Sequence, residues 1–166
     1  MATDNMERLR QFLSENLQLR DDEVVLVFLK LAPYFETIPD SLMADFLHLG
    51  QEVTLVPVAQ QQFSMIGDLD AIIAAPEFHK LIFENPFFRI FESVIKPRQI
   101  VPFHIHRGDC LILTVQGSRF ISNDGVNRVV EEWYPMVERI EGNEQVHSFQ
   151  NVGSADFLGL VFEIKK

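Results

Sequence analysis

His104 and His106 stand two residues apart in the stretch Val101–His106. If that stretch is extended, alternate side chains leave the same face and both imidazoles project to one side. Two imidazoles so placed can share one divalent ion at nitrogen distances near ~2.0–2.1 Å. His147 lies some forty residues on, in another strand-like run, and a closed barrel would bring it across the lumen to the same point. The chemistry on offer is metal binding by neutral nitrogen donors. Trp133 and Tyr134 could line the mouth of a pocket over such an ion, with core packing as their other role. There is no glycine-rich phosphate loop, no Ser-His-Asp order, and no Gly-Glu-Leu-Ala cassette followed by a phosphate-binding arginine.

The elements that must hold these histidines are short strands. From Lys80 on, apolar runs alternate with turn residues: Leu81–Glu84, Phe87–Ile95, Val101–His106, Cys110–Gln116, Ser118–Ser122, Arg128–Trp133, Met136–Ile140, Val146–Gln150 and Phe157–Ile164. The punctuation is Asn85-Pro86, Lys96-Pro97, Arg107-Gly108-Asp109, Gly117 and Asn123-Asp124-Gly125. This grammar predicts an all-β sandwich or barrel. The acidic side chains Glu131, Glu132, Glu138 and Glu141 are expected on a solvated strand face.

The first seventy-five residues have a different period. Thr3 or Asp4 could cap a helix carrying Met6, Leu9, Phe12, Leu13 and Leu17 at helical spacing. Asp21 and Asp22 could start a second helix, although Val24, Val25 and Val27 suit a buried strand nearly as well. Pro39-Asp40 opens a third, with Leu42, Met43, Phe46 and Leu47, which Gly50 is expected to stop. Residues 52–58 read as a strand, 60–62 as a connector, and Asp68 as the cap of one more short helix ending before Pro76. The predicted organisation is a mostly helical extension over residues 1–75 and a β-barrel domain over 76–166.

Composition limits what this assembly can do. A chain of 166 residues with 47% hydrophobic residues and fifteen phenylalanines can bury a substantial core. A net charge of −10 without any cluster of Lys and Arg argues against nucleic acid as a partner. No apolar run is long enough for a bilayer, so no membrane partner is expected. A single cysteine and an amino terminus without an apolar leader fit a cytoplasmic protein.

The stretch Pro102-Phe-His-Ile-His-Arg-Gly-Asp-Cys-Leu-Ile-Leu-Thr-Val-Gln-Gly117 resembles the first motif of the cupin superfamily. Gly142 followed by His147-Ser-Phe-Gln-Asn151-Val-Gly153 resembles the second. Pro76–Asn85 and Arg89–Ile95 are similar to the opening strands of small cupins, so the resemblance spans roughly residues 76–164. It implies a double-stranded β-helix, or jelly-roll barrel, with His104, His106 and His147 as metal ligands. Asn151 would organise a turn beside the site. His48 and His79 lie outside the motifs and are expected at the surface or in helix packing.

This chain departs from the pattern where cupins usually place a ligating glutamate, carrying Cys110 instead, with Ile140 where the second motif has proline. A buried Cys110 is expected in the core, while a thiolate there would close a fourth ligand position and favour zinc. Three uncharged ligands leave a divalent ion uncompensated, which favours an anionic ligand, and the cupin thiol dioxygenases use three histidines in this way. The resemblance thus implies a metal-dependent enzyme acting on a small anionic molecule, an iron-dependent dioxygenase first of all. Iron(II) is the favoured ion, with zinc, manganese or nickel as alternatives. Arg89 is the foremost arginine for holding an anion, ahead of Arg98, Arg107 and Arg119. The competing expectation is a non-catalytic metal- or ligand-binding cupin, a sensor or dimerising module, whose helical extension makes a homodimer or contacts a partner.

Overall fold

The computed structural model describes residues 2–53, 55, 69–142 and 145–165. The chain divides into two compact units, Met1–Leu55 and Val56–Lys166. No helix is long and apolar enough to cross a membrane.

The first unit contains α1 (Ala2–Glu15), α2 (Asp21–Phe35) and α3 (Asp40–Gln51). The ambiguity at the valines resolves as helix, because Val24, Val27, Leu31 and Phe35 fall on one buried stripe at helical spacing. Leu9, Phe12, Leu13 and Leu17 supply the facing layer, and Phe12 and Phe35 both meet Phe46 edge-on, at centroid distances of 4.8 and 4.9 Å. Gly50 does not stop α3, which runs one residue further. A Cβ there would sit 2.4 Å from Phe12 Cε2, so the glycine is a packing residue that lets α1 approach.

Val53 is not in a strand, and most of the strand expected over 52–58, the connector at 60–62 and the cap Asp68 lie outside the described residues. The short helix is α4 (Ala71–Ala74), capped by Asp70, whose Oδ1 accepts a hydrogen bond of 3.1 Å from the Ile72 N–H. It belongs with the second unit.

All nine expected strands are present: β1 (His79–Glu84), β2 (Phe88–Ile95), β3 (Ile100–His104), β4 (Asp109–Gln116), β5 (Arg119–Asn123), β6 (Arg128–Glu132), β7 (Met136–Ile140), β8 (His147–Asn151) and β9 (Phe157–Ile164). They form a five-stranded sheet, β1-β2-β9-β4-β7, and a four-stranded sheet, β3-β8-β5-β6, with antiparallel pairing throughout. This two-sheet arrangement is consistent with a jelly roll. The inner strands β2 and β9 are buried along most of their length, while β6 and β7 are largely exposed edges. Gly117 is needed where β4 turns toward β5, because a Cβ there would lie 1.8 Å from the Trp133 carbonyl oxygen.

Candidate metal centre

Register brings the histidines together. In the β3–β8 pair, His104 lies directly opposite His147, and in the β1–β2 pair, His79 lies opposite Ser93. Facing residues of an antiparallel pair hold their side chains close enough to touch. The Nε2 of His104 is 3.1 Å from that of His147 and 3.2 Å from that of His79. His106 lies just past β3, its ring centroid 5.1 Å from those of His104 and His147 and 5.7 Å from that of His79. Ligand atoms of His79, His104 and His106 all fall within 4.8 Å of one another. His79 was expected at the surface or in helix packing. It is instead 5% exposed and faces the cluster, its Nδ1 2.8 Å from Ser93 Oγ.

The protonation pattern suits ligation. The Nδ1 of His104 lies 2.8 Å from the Pro102 carbonyl oxygen, which can only accept, so the proton sits on Nδ1 and the Nε2 lone pair faces the cluster. Burial, reinforced by the neighbouring His106, lowers the pKa of His104 to about 4. Burial and the nearby His104 and His106 lower that of His147 to about 3, and burial with the other histidines pushes His79 well below its ordinary value. Neutral rings at neutral pH present lone pairs. Two nitrogens bound to one ion at ~2.0–2.1 Å, subtending 90–109°, lie roughly 2.9–3.4 Å apart. The spacings of 3.1 and 3.2 Å fall in that window, and the set whose ligand atoms are all mutually close is His79, His104 and His106, with His147 reaching it through His104, so this cluster suits a divalent ion.

A buried ionic network lies behind the histidines. The Nδ1 of His106 has no hydrogen-bond partner among the described residues and is 3.6 Å from Glu163 Oε2. Glu163 is bound by Arg89 at 2.8 Å, Arg89 reaches Asp70 at 3.0 Å, and Arg107 Nε reaches the same Asp70 at 2.7 Å. Two guanidinium groups and two carboxylates balance in charge. Arg89, expected to hold an anionic substrate, therefore has its charge consumed by buried carboxylates and does not line the cavity. Cys110 is fully buried against Ala71, Phe91 and Val161, as expected of a core residue. Its sulfur also lies within 4.8 Å of ligand atoms of His106 and Glu163. Tyr134 is 64% exposed and outside the cavity lining, whereas Trp133 lines it. Asn151 holds the turn after β8, donating to the Ile95 and Ala155 carbonyls and accepting from Ser118 Oγ and the Gly153 N–H.

The four histidines open into a cavity of about 440 Å³ between the sheets. Ile95, Ile112, Trp133, Phe149, Phe157 and Val161 give it apolar walls. Glu131 and Glu138, expected on a solvated face, also line it. The signal for His79 was weak: a histidine at the start of a strand, outside both motifs, with no partner nearby in sequence.

No family model and no curated protein matches this chain. Solved structures with a similar chain path include a cupin domain from Bordetella pertussis Tohama I, at 14% identity over 54% of this chain and 93% of that one, with a TM-score of 0.49. A cupin superfamily protein from Desulfitobacterium hafniense DCB-2 is similar at 12% identity, over 69% of this chain and all (100%) of that one, with a TM-score of 0.41. An RmlC-like cupin family protein from Methanocaldococcus jannaschii, with a double-stranded β-helix fold, is similar at 9% identity over 68% and 94% of the two chains, with a TM-score of 0.42. The β unit of this chain, two antiparallel sheets with a histidine cluster between them and both histidine motifs in order, is similar in chain path to these cupin structures.

Proposed function

We propose that this chain is a metal-dependent cupin enzyme acting on a small molecule that binds through an anionic donor atom, most concretely an iron-dependent dioxygenase. The observation that carries the reading is the grouping of His79, His104 and His106 ligand atoms within 4.8 Å of one another, with the His147 Nε2 3.1 Å from that of His104, beside a cavity large enough for a small substrate. His104, His106 and His147 would hold the ion, with His79 against the same point. An ion bound there supplies Lewis acidity and, if iron(II), redox chemistry. Uncharged imidazoles leave its charge to be met by an anionic group on the substrate. The carbonyl of Pro102 fixes the His104 tautomer, and Ile95, Phe149 and Val161 are among the apolar side chains of the cavity wall.

His79 favours a second reading: four histidines on a tetrahedral ion would close the site and make the protein a metal or ligand sensor. The two readings separate experimentally. Protein purified without added metal is analysed for elements, loaded anaerobically with iron(II), and exposed to nitric oxide. An electron paramagnetic resonance signal of an iron–nitrosyl centre, together with oxygen uptake in a substrate screen, supports the enzyme. Full iron occupancy with no such signal supports the closed site. Metal content unchanged in both His104→Ala and His106→Ala refutes the centre itself.

A further inference from the structure

We propose that the cavity selects a molecule with an anionic donor at one end and a protonated amine at the other, the amine lying against Glu131 and Glu138. The donor end rests on the metal-centre reading above; the amine end does not. Charge in the cavity is arranged with polarity. The described lining residues include Asp124, Glu131 and Glu138 but no lysine or arginine. The arginines nearest the histidines in the fold, Arg89 and Arg107, are bound to buried carboxylates.

Topology separates the two ends. His79 and His104 come from β1 and β3, each at one edge of its sheet, whereas Glu138 and Glu131 come from β7 and β6 at the opposite edges. In the smaller sheet His147 on β8 and Glu131 on β6 stand two strand spacings apart, about 10 Å. The walls mix apolar side chains, Ile95, Ile112 and Phe149, with polar uncharged ones, Thr114, Asn123 and Asn127. Glu131 is held in place, accepting from Trp133 Nε1 at 3.1 Å and from Ser122 Oγ. Each carboxylate oxygen can accept more than one donor, so an ammonium can join these bonds without breaking them. A dicarboxylate of the same length would place its second charge against two like charges.

The test is calorimetric titration of the zinc-loaded full chain with 6-aminohexanoate, hexanoate and adipate, which share one donor and differ at the far end. The amine should bind at least about tenfold more tightly than adipate, with hexanoate between them. Glu131→Gln with Glu138→Gln should narrow that ratio to about threefold, and Glu138→Lys, on an exposed strand position, should reverse it. Adipate binding as tightly as the amine, or a ratio unchanged in the double variant, overturns the proposal. If the chain takes up no metal, the metal-centre reading fails, and hexylamine against hexanoate on the metal-free chain still decides this one. Preference for hexylamine supports it. Equal binding, preference for hexanoate, or no measurable binding of either overturns it.

Discussion

Acidifying the metal-free protein from pH 7 to pH 4 should destabilise the β unit through its histidines. His104 is completely buried, and its ring stays neutral in the folded chain down to about pH 4. Once unfolded, the same ring takes up a proton near pH 6.5. Below that value the unfolded state therefore binds more protons, and stability falls as pH falls. The contribution of His104 is fully present above pH 6.5 and lost progressively down to about pH 4, some 3 kcal/mol in all. His79 and His147, shifted in the same direction, add to the loss. The reporter is Trp133, the only tryptophan, which packs on Phe120 at 4.5 Å and on Phe149 at 4.9 Å within the β unit. Urea unfolding followed by its fluorescence should show a midpoint that is flat from pH 8 to 7 and drops steadily below 6.5. His104→Gln, which cannot titrate, should lose about 3 kcal/mol of that pH dependence while retaining the rest. A wild-type midpoint constant from pH 6.5 to 4, or a variant with the full wild-type slope, would refute the reasoning.

Three further outcomes follow from the packing. Cys110→Ser places a hydroxyl in an apolar cluster and should cost roughly 1–3 kcal/mol in urea titration with metal content nearly unchanged, whereas a sharp fall in content would make the thiol a ligand. Arg89→Met leaves Asp70 and Glu163 buried without their shared cation and should cost about 3–5 kcal/mol; a loss below about 1 kcal/mol would show that the network is not coupled. Residues 56–166 expressed alone should retain the Trp133 unfolding transition, whereas residues 76–166, lacking Asp70 and α4, should unfold at distinctly lower urea. Equal midpoints for the two fragments would remove Asp70 from the account.

The strand grammar of the second half was legible because turn residues and apolar alternation are local signals. Pro97, Gly108, Gly117 and Asn123-Asp124-Gly125 mark ends that the chain can execute without distant partners. The pairing of His104 with His106 on one side is equally local, since it follows from the two-residue repeat of extended backbone. Elsewhere the outcome depends on partners far along the chain. The valines of α2 suit either structure, and the decision came from a buried face against α1. Gly50 looked like a stop and is a contact, because only the tertiary structure places Phe12 over it. Arg89 was assigned an anionic substrate, but its anions are Asp70 and Glu163, 19 and 74 residues away. His79 enters the centre through the β1–β2 register and the approach of β3, neither of which its neighbours in sequence encode. Local preference determined where strands begin and end and which side chains share a face. Burial and long-range register decided which charges meet, and so which groups remain to hold an ion or a ligand.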